Sequence, residues 1–447
     1  MILATSSITT PFILDIINLI FCVIFSICFI MQNLHMIVSL LTKRRRFKPA
    51  EKQHKFGYVI CARNESKVIG QLVDSIYEQD YPRELMTVFV VADNCNDDHA
   101  TANICREKGA IVFERFNNVE VGKSWALDYF FKTVKANPEY DDIEAFFLFD
   151  ADNLVSKNYT NEMNKTFDAG FEVATSLRDT KNWSSSMTAA CSGIMFLRES
   201  LVIHHSRSRL HLSTYVSGTG FYISRKVLGM FDGWPFHRLI EDIEFSSWCA
   251  LNNVTVGFNQ TAVFYDEQPN KLREANKQRL RWAKGTSQCF RGYGHKLFLS
   301  IFKPHRTFKQ RLTSWEMYIH ICPLPLVTTL WTIIYITAHI IFFATGLEQG
   351  NFFDKFGVLF IIGEVFAIFG LAFLHAVIAL IKYHKHIRIN WFKKILSCIL
   401  FPFFAFLYIP IYFICLFMKN VKWQPIAHTE TKTMEHIEAE DKDHGQY

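Results

Sequence analysis

The chain has no Lys or Arg before position 43, although residues 11–31 form a long apolar run. A cleaved secretory leader opens with positive charge, so this absence argues for an uncleaved anchor with its N-terminus outside the cytosol. Nor is there any Cys-x-x-Cys pair among the 11 cysteines. Several of them, Cys22, Cys28, Cys322, Cys398 and Cys415, sit inside apolar runs. That usage argues against a zinc site and reads as reduced thiols serving as small hydrophobes. A nucleotide-phosphate loop is missing too. Val121-Gly122-Lys123-Ser124 resembles the end of one, but Asn117 stands where its first glycine is required.

What is present points to two solvents. Apolar residues make up 50% of the 447, with 43 Phe, which is too many for an ordinary soluble enzyme. The 20% of charged residues excludes a pure membrane bundle. The net charge of +6 is unevenly placed: Lys43-Arg44-Arg45-Arg46 follows the first apolar run, and residues 382–394 are basic beside another. Next to apolar spans such clusters mark the cytoplasmic membrane face rather than a nucleic-acid patch, so no nucleic acid is expected as a partner.

Residues 11–31 are long enough to cross a bilayer, with Asp15 expected near its outer interface. From Tyr58 to about Asp266 strands and helices alternate. Residues 58–61, 88–92 and 146–149 read as buried strands, and 67–78 has helical spacing. Such alternation implies an α/β fold, a mainly parallel sheet with helices on both faces and ligands at the carboxyl ends of its strands. After residue 310 the apolar runs 319–344, 358–381 and 395–418 are each about one bilayer long. Pro323, Pro325, Pro402 and Pro410 predict kinks or interfacial portions in the first and third. Three full crossings would strand the basic tail outside, so one run is expected to lie along the interface. The expected domains are an anchor over 1–46, a cytosolic catalytic domain over 47–310, membrane helices over 311–420 and a charged tail over 421–447, mobile from Thr429.

The residues that carry chemistry recur at strand and helix ends. Asp93 closes one apolar strand, where it can accept hydrogen bonds from a base or ribose; Asp97 and Asp98 read as a turn capping the helix near Ala100. Asp150 and Asp152 close another, and carboxylates two apart there can share a hard cation that bridges a diphosphate. Glu241 and Asp242 open an apolar-periodic stretch. A carboxylate there can take a proton from an attacking hydroxyl or simply complement a helix dipole. Asp242 is the favoured base, with Glu241 orienting it. In Gln278-Arg279-Leu280-Arg281-Trp282, Arg281 can neutralise a diphosphate and Trp282 offers a flat face to a sugar ring. The same run could be a basic helix lying on the membrane.

In this order, Ala62-Arg63-Asn64-Glu65, Asp93, Gly122-Lys123, Asp150-Ala151-Asp152, Gly218-Thr219-Gly220, Glu241-Asp242 and Gln278-x-x-Arg281-Trp282 resemble the membrane-embedded family 2 glycosyltransferases. That group contains the cellulose, chitin, hyaluronan and poly-N-acetylglucosamine synthases. The resemblance covers about residues 56–285 and implies a GT-A-like fold flanked by transmembrane helices. It implies that Glu65 and Asp93 contact uridine, with Lys123 and Asp150 near the nucleotide-sugar. Asp152 with Asp150 would hold Mg²⁺ or Mn²⁺. Asp242 would be the base, and Gly218, Thr219, Gly220, Gln278, Arg281 and Trp282 would receive the acceptor and diphosphate. Ile240 stands where many members carry Thr, and Ser124-Trp125 departs from the usual small-then-polar pair. The tail element Trp423-Gln424-Pro425-Ile426-Ala427-His428 is similar to one in some bacterial members, or is an interfacial Trp anchor.

The resulting expectation is a multi-pass cell-membrane enzyme with a cytoplasmic catalytic domain. It would be an inverting transferase moving N-acetylglucosamine or glucose from a UDP-sugar onto a growing β-linked polysaccharide, with room for an accessory secretion subunit. The alternatives are single transfer to a lipid acceptor, or a catalytically silent membrane subunit. His204, His205 and His211 read as parts of an interfacial or core helix rather than metal ligands. Glu364 and His375, within a span, would face a polar conduit or make helix–helix hydrogen bonds.

Overall fold

The computed structural model describes residues 10–347, 358–419, 421, 428 and 430–443. Strand β1 (Phe56–Ala62) is apolar on both faces, as a strand covered on both sides must be. It pairs in parallel with β2 (Met86–Asp93) on one side and β4 (Ala145–Asp150) on the other, and β2 pairs with β3 (Ile111–Arg115). With β5 (Leu154–Val155), β6 (Val173–Thr180), β7 (Phe221–Ser224) and β8 (Val256–Asp266) these make an eight-stranded sheet of order β3-β2-β1-β4-β7-β6-β8-β5. β7 runs antiparallel between β4 and β6, and β5 antiparallel to β8. Strand order reverses between β1 and β4, which opens a crevice at their carboxyl ends.

Helices cover both faces. α1 (Thr10–Leu41) precedes the sheet, and α2 (Ile69–Tyr77), α3 (Ala100–Glu107), α4 (Lys123–Lys135) and α5 (Tyr159–Asp168) connect its strands. Ile69, Leu72 and Ile76 of α2 join Tyr159 and Met163 of α5 in one core, while Leu127 and Phe130 of α4 pack with Trp234 and Phe245 in the other. α6 (Met187–Glu199), capped by the Ser186 hydroxyl, runs into a π-helical turn at Ser200–His205. His204 and His205 are buried there, bonded to Thr214 and Gln260. α7 (Glu241–Leu251) and α8 (Leu272–Cys289) complete the catalytic part.

The expected span at 319–344 divides. α9 (Phe308–Ile321) starts at a capping box made by Thr307 and Gln310, and a break at Pro323 separates it from α10 (Leu324–Ala344). α11 (Val358–Tyr383) follows, and then α12 (Trp391–Phe406) and α13 (Tyr408–Phe417) meet at Leu407. Among the described residues three stretches are long and apolar enough to cross a membrane: Thr10–Leu41, Leu324–Ala344 and Trp391–Phe417. The last nevertheless begins and ends beside the catalytic domain. Arg388, just before α12, pairs with Asp179 at the end of β6. Just after α13, Lys284 of α8 donates to the carbonyl of Met418. Both ends of this helix pair thus contact the part of the chain that carries the sheet.

Two buried ion clusters tie this half to the sheet. Glu316 of α9 hydrogen-bonds His35 of α1 at 2.5 Å and forms an ion pair with Arg207, whose Nε lies 2.7 Å away, all three being buried. Asp179, fully buried, takes Arg388, His386 and the Trp183 indole N–H. At the far end of α1, Asp15 accepts from the Tyr335 hydroxyl and Asn18 from the Trp331 indole, so both face α10. The mobile tail expected from its charge is corrected by the structure. α14 (Met434–Asp443) buries Met434 and Ile437, three residues apart on one face, against Leu154 and Tyr265, and Arg388 pairs with Asp441. Residues 423–427 and the side chain of Glu364 lie outside the described part.

Removing one partner of a buried ion pair leaves the other charge without compensation. Glu316→Ala is therefore expected to destabilise the full-length protein by about 3–5 kcal/mol, read as a lowered unfolding temperature in detergent.

Candidate active site

Backbone turns bring the acids to the crevice. Asn64 and Asn94 adopt left-handed conformations after β1 and β2, which asparagine tolerates, and their side-chain carbonyls accept from the backbone N–H groups of Asn96 and Asn117. Glu65 and Asp93 are thereby set at adjacent strand ends. Asp93 is buried and bonded to Arg115 at 2.7 Å. Glu65 has no such cation. Burial, with Asp152 and Asp150 nearby, raises it to about 7, His428 only partly offsetting this.

Asp150 and Asp152, expected to share a cation, are divided. Asp150 pairs with Lys123 at 2.5 Å, and Lys123 also donates to the Gly218 carbonyl at 2.7 Å. Gly122 enters α4 with φ of 116°, so Lys123 heads a helix that follows no phosphate loop. Although burial opposes it, Asp150 and Glu241 hold the Lys123 ammonium above its ordinary range. Asp152 instead faces His428 at 3.2 Å, and His428 lies 3.8 Å from Glu267. Asp152, Glu267 and His428 place ligand atoms within 4.8 Å of one another. Two carboxylates and an imidazole fit a cation of the Mn²⁺ type, which accepts both oxygen and nitrogen. Despite burial, Asp152 raises His428 to about 10, and His428 in turn holds Asp152 low.

A hydrogen-bonded floor fixes these groups. The backbone N–H of Asp150 donates to the Thr219 hydroxyl at 3.0 Å, Thr219 bonds the Asn153 carbonyl, and Asn153 donates to Asp266 at 2.8 Å. Arg178 donates to Asp266 through Nε and Nη2. Gly218 and Gly220 both have positive φ, and a Cβ on Gly220 would run into the ring of Phe264. A Cβ on Gly218 would lie 3.8 Å from Asp242 Oδ2, so the Gly218-Thr219-Gly220 element borders the expected base.

Glu241 and Asp242 form the first turn of α7, after Ile240. Burial first, and then the Glu241 carboxylate, push Asp242 up to about 7 against the pull of Arg281 and Lys123. Gln278, Arg281 and Trp282 share one face of α8. Arg281 donates to the carbonyl of Leu239 at 2.9 Å, and Trp282 meets Phe196 edge-on at 6.1 Å between ring centres. Phe196 lies under Arg178, 3.8 Å from guanidinium carbon to ring centre. α8 approaches α7 closely at Gly285, where a Cβ would stand 2.7 Å from Ile240. Ser124 and Trp125 lie in the first turn of α4, where Trp125 stacks on His237 at 3.7 Å.

The residues not anticipated from the sequence are Arg115, Arg178, Lys181, Asp266 and Glu267, and His428 had been assigned no role. Asp266-Glu267 closes an apolar strand, the same signal that singled out Asp150. Arg115, Arg178 and Lys181 carry no local pattern; only the fold brings them to the acids. Together the crevice offers a cation-binding set, a basic rim and a base of near-neutral pKa, which is what displacement of a diphosphate by a hydroxyl needs.

Residues 54–285 match the family described as "Glycosyltransferase like family 2". The beta-monoglucosyldiacylglycerol synthase of Trichormus variabilis is 21% identical over 294 residues, 63% of this chain and 60% of its own. The probable glycosyltransferase YdaM of Bacillus subtilis is 23% identical over 239 residues, 52% of this chain and 55% of its own. The chain thus spans less than two thirds of the length of either relative. Among solved structures, a Pyrobaculum calidifontis mannosyltransferase in complex with GDP-Man and Mn²⁺ superposes with a TM-score of 0.54 at 15% identity, covering 89% of this chain and 98% of that one. That likeness establishes the GT-A-like fold.

The Ile240–Gly285 contact sets where the acidic pair sits. Gly285→Ala is expected to lower turnover by about tenfold or more, since small displacements near a reacting centre are costly. Pairing it with Ile240→Ala, which clears the space, should recover most of the loss in a double-mutant assay.

Proposed function

The chain belongs to the family 2 glycosyltransferases, and we propose that it moves one sugar from a UDP-sugar to the hydroxyl of a membrane lipid with inversion. Glucose is the favoured sugar and N-acetylglucosamine the second candidate. The donor's uridine lies along Glu65 and Asp93, with Lys123 and Asp150 beside the sugar-diphosphate. Asp152, with Glu267 and His428, would hold Mg²⁺ or Mn²⁺, and the ion would supply stabilisation of the charge on the departing diphosphate. Asp242 takes the proton of the acceptor hydroxyl as its oxygen bonds to the anomeric carbon and the bond to the diphosphate breaks. Glu241 tunes that base. Gly218, Thr219 and Gly220 leave room for the acceptor, Trp282 stacks on it, and Gln278 and Arg281 reach the diphosphate. Inversion follows from the family.

The observation that carries the lipid acceptor is the wall behind Trp282. Ala283 packs with Leu326, Ile411, Tyr412 and Cys415 in an apolar cluster, and Arg279 donates to the carbonyl of Phe404. The acceptor side of the crevice is therefore built directly on α10, α12 and α13, an apolar setting that suits a lipid hydroxyl. The resemblance to proteins named beta-monoglucosyldiacylglycerol synthase supports the same reading. Synthesis of a β-linked polysaccharide is the second reading, favoured by the Gln278-x-x-Arg281-Trp282 element. The basic residues around α1, α11 and α12 support a cytoplasmic catalytic domain.

The test uses full-length protein in nanodiscs containing diacylglycerol, with Mn²⁺ or Mg²⁺ and radiolabelled UDP-glucose or UDP-N-acetylglucosamine. Label extracted as a monoglycosyl lipid is the expected product, and Asp242→Asn should reduce it by about 10²–10⁴-fold. A long product that stays in water would replace the lipid reading with the polymer one. Since the base works deprotonated, kcat/KM should rise with pH through an acid limb near 7, the value to which Asp242 is pushed. Glu241→Gln removes a group that raises Asp242 and should move that limb to lower pH; Arg281→Gln removes one that lowers it and should move it higher.

A further inference from the structure

Outside the reaction crevice, Arg198 and His375 each carry a buried ring or guanidinium nitrogen without a hydrogen-bond partner among the described residues. Arg198 lies at the end of α6, and His375 is about two turns before the end of α11. The Nε of Arg198 and the Nε2 of His375 are buried and have no hydrogen-bond partner among the described residues. His375 as a whole is 6% exposed, and Arg198 is the charge that acts on it. Each of the other buried histidines of this half faces a carboxylate or a hydroxyl: His35 at Glu316, His204 at Thr214 and His339 at Asp15. A buried donor without an acceptor is costly, and Arg198 is half-buried with no carboxylate facing it and His375 buried with no carboxylate facing it among the described residues, which marks this pair as a place for an anion supplied from outside.

The surroundings say which anion. Ile194, Leu197 and Leu201 of the α6 segment pack with Ala376, Ile378, Leu380 and Phe401, so the pair sits where α6 meets α11 and α12. Leu371 and Leu374, flanking His375 on α11, are 41% and 44% exposed. An anion reaching this place has apolar surface alongside it. Phe196 turns toward Trp282 and Arg178, and residues two apart on a helix point roughly 200° from one another, so Arg198 faces away from the crevice. We propose that Arg198 and His375 hold the phosphodiester of an anionic membrane phospholipid, whose acyl chains lie along Leu371 and Leu374. The site is separate from the acceptor site and stands whichever acceptor is glycosylated.

The test is binding of phosphatidylglycerol to the full-length protein in detergent, by native mass spectrometry and by the rise in unfolding temperature, with phosphatidylcholine and inorganic phosphate in parallel arms. The wild type should retain phosphatidylglycerol over phosphatidylcholine. Arg198→Gln should weaken that retention about tenfold, the worth of one charge-assisted hydrogen bond, while Arg198→Lys keeps most of it. Equal retention of the two lipids by the wild type would overturn the proposal. So would unchanged phosphatidylglycerol binding in both Arg198→Gln and His375→Phe, or full displacement by millimolar inorganic phosphate. Should Arg198→Gln fail to fold, the two-lipid comparison in the wild type and the Arg198→Lys protein decide the matter.

Discussion

Like-charge repulsion among the carboxylates at the end of the sheet is the constraint on which the rest of the molecule depends. Glu65, Asp93, Asp150, Asp152, Glu241, Asp242, Asp266 and Glu267 act on one another or on shared neighbours there. At about 6 Å and an effective dielectric near 20, each uncompensated pair costs roughly 3 kcal/mol. The fold answers with a cation for most of these acids: Arg115 for Asp93, Lys123 for Asp150, Arg178 for Asp266, and His428 with Lys181 for Asp152 and Glu267. Glu65, Glu241 and Asp242 are left over, and of these Glu65 and Asp242 are pushed to about 7. The same field that would disrupt the crevice thus produces a carboxylate able to accept a proton at neutral pH.

Holding so much charge in register requires a rigid support, and the helices beyond the sheet supply it. α8 is bonded at Arg281 to the chain just before α7, at Arg279 to α12 and at Lys284 to the end of α13. Glu316 joins α1, α9 and the segment after the π-turn through buried ion pairs. Reaction chemistry and bilayer contact therefore share one set of helices.

Local patterns were enough for the part of this molecule governed by periodicity. The apolar strands ending at Asp93 and Asp150 and the helix over 69–77 stand where hydrophobic spacing puts them, because burial on both faces leaves a near-continuous apolar run. The strands β6 and β8 and the antiparallel β7 were not resolved by that spacing, since polar residues such as Thr175, Ser176 and Asn259 are buried in them, Ser176 donating to the Gly220 carbonyl and Asn259 to Thr166 of α5. Proline marked the break at 323, and the junction of α12 and α13 falls between Pro402 and Pro410. The tail was misjudged on composition: its charge hid a two-residue apolar stripe, Met434 and Ile437, that is enough to dock a helix once Arg388 meets Asp441. Pairings such as Arg178 with Asp266 span 88 residues and leave no trace in either neighbourhood.

The position of His428 in the chain gives the enzyme an order of assembly. Synthesis proceeds from the N-terminus, and the strands bearing Asp152 and Glu267 emerge long before the segment that brings the imidazole beside them. Between the two come α10 to α13, every one of them apolar. A nascent chain cannot complete the acid–imidazole cluster until those helices have left the ribosome and found their apolar surroundings. Chain order alone thus acts as a timer, keeping the acid–imidazole cluster open until the last of the apolar helices has emerged.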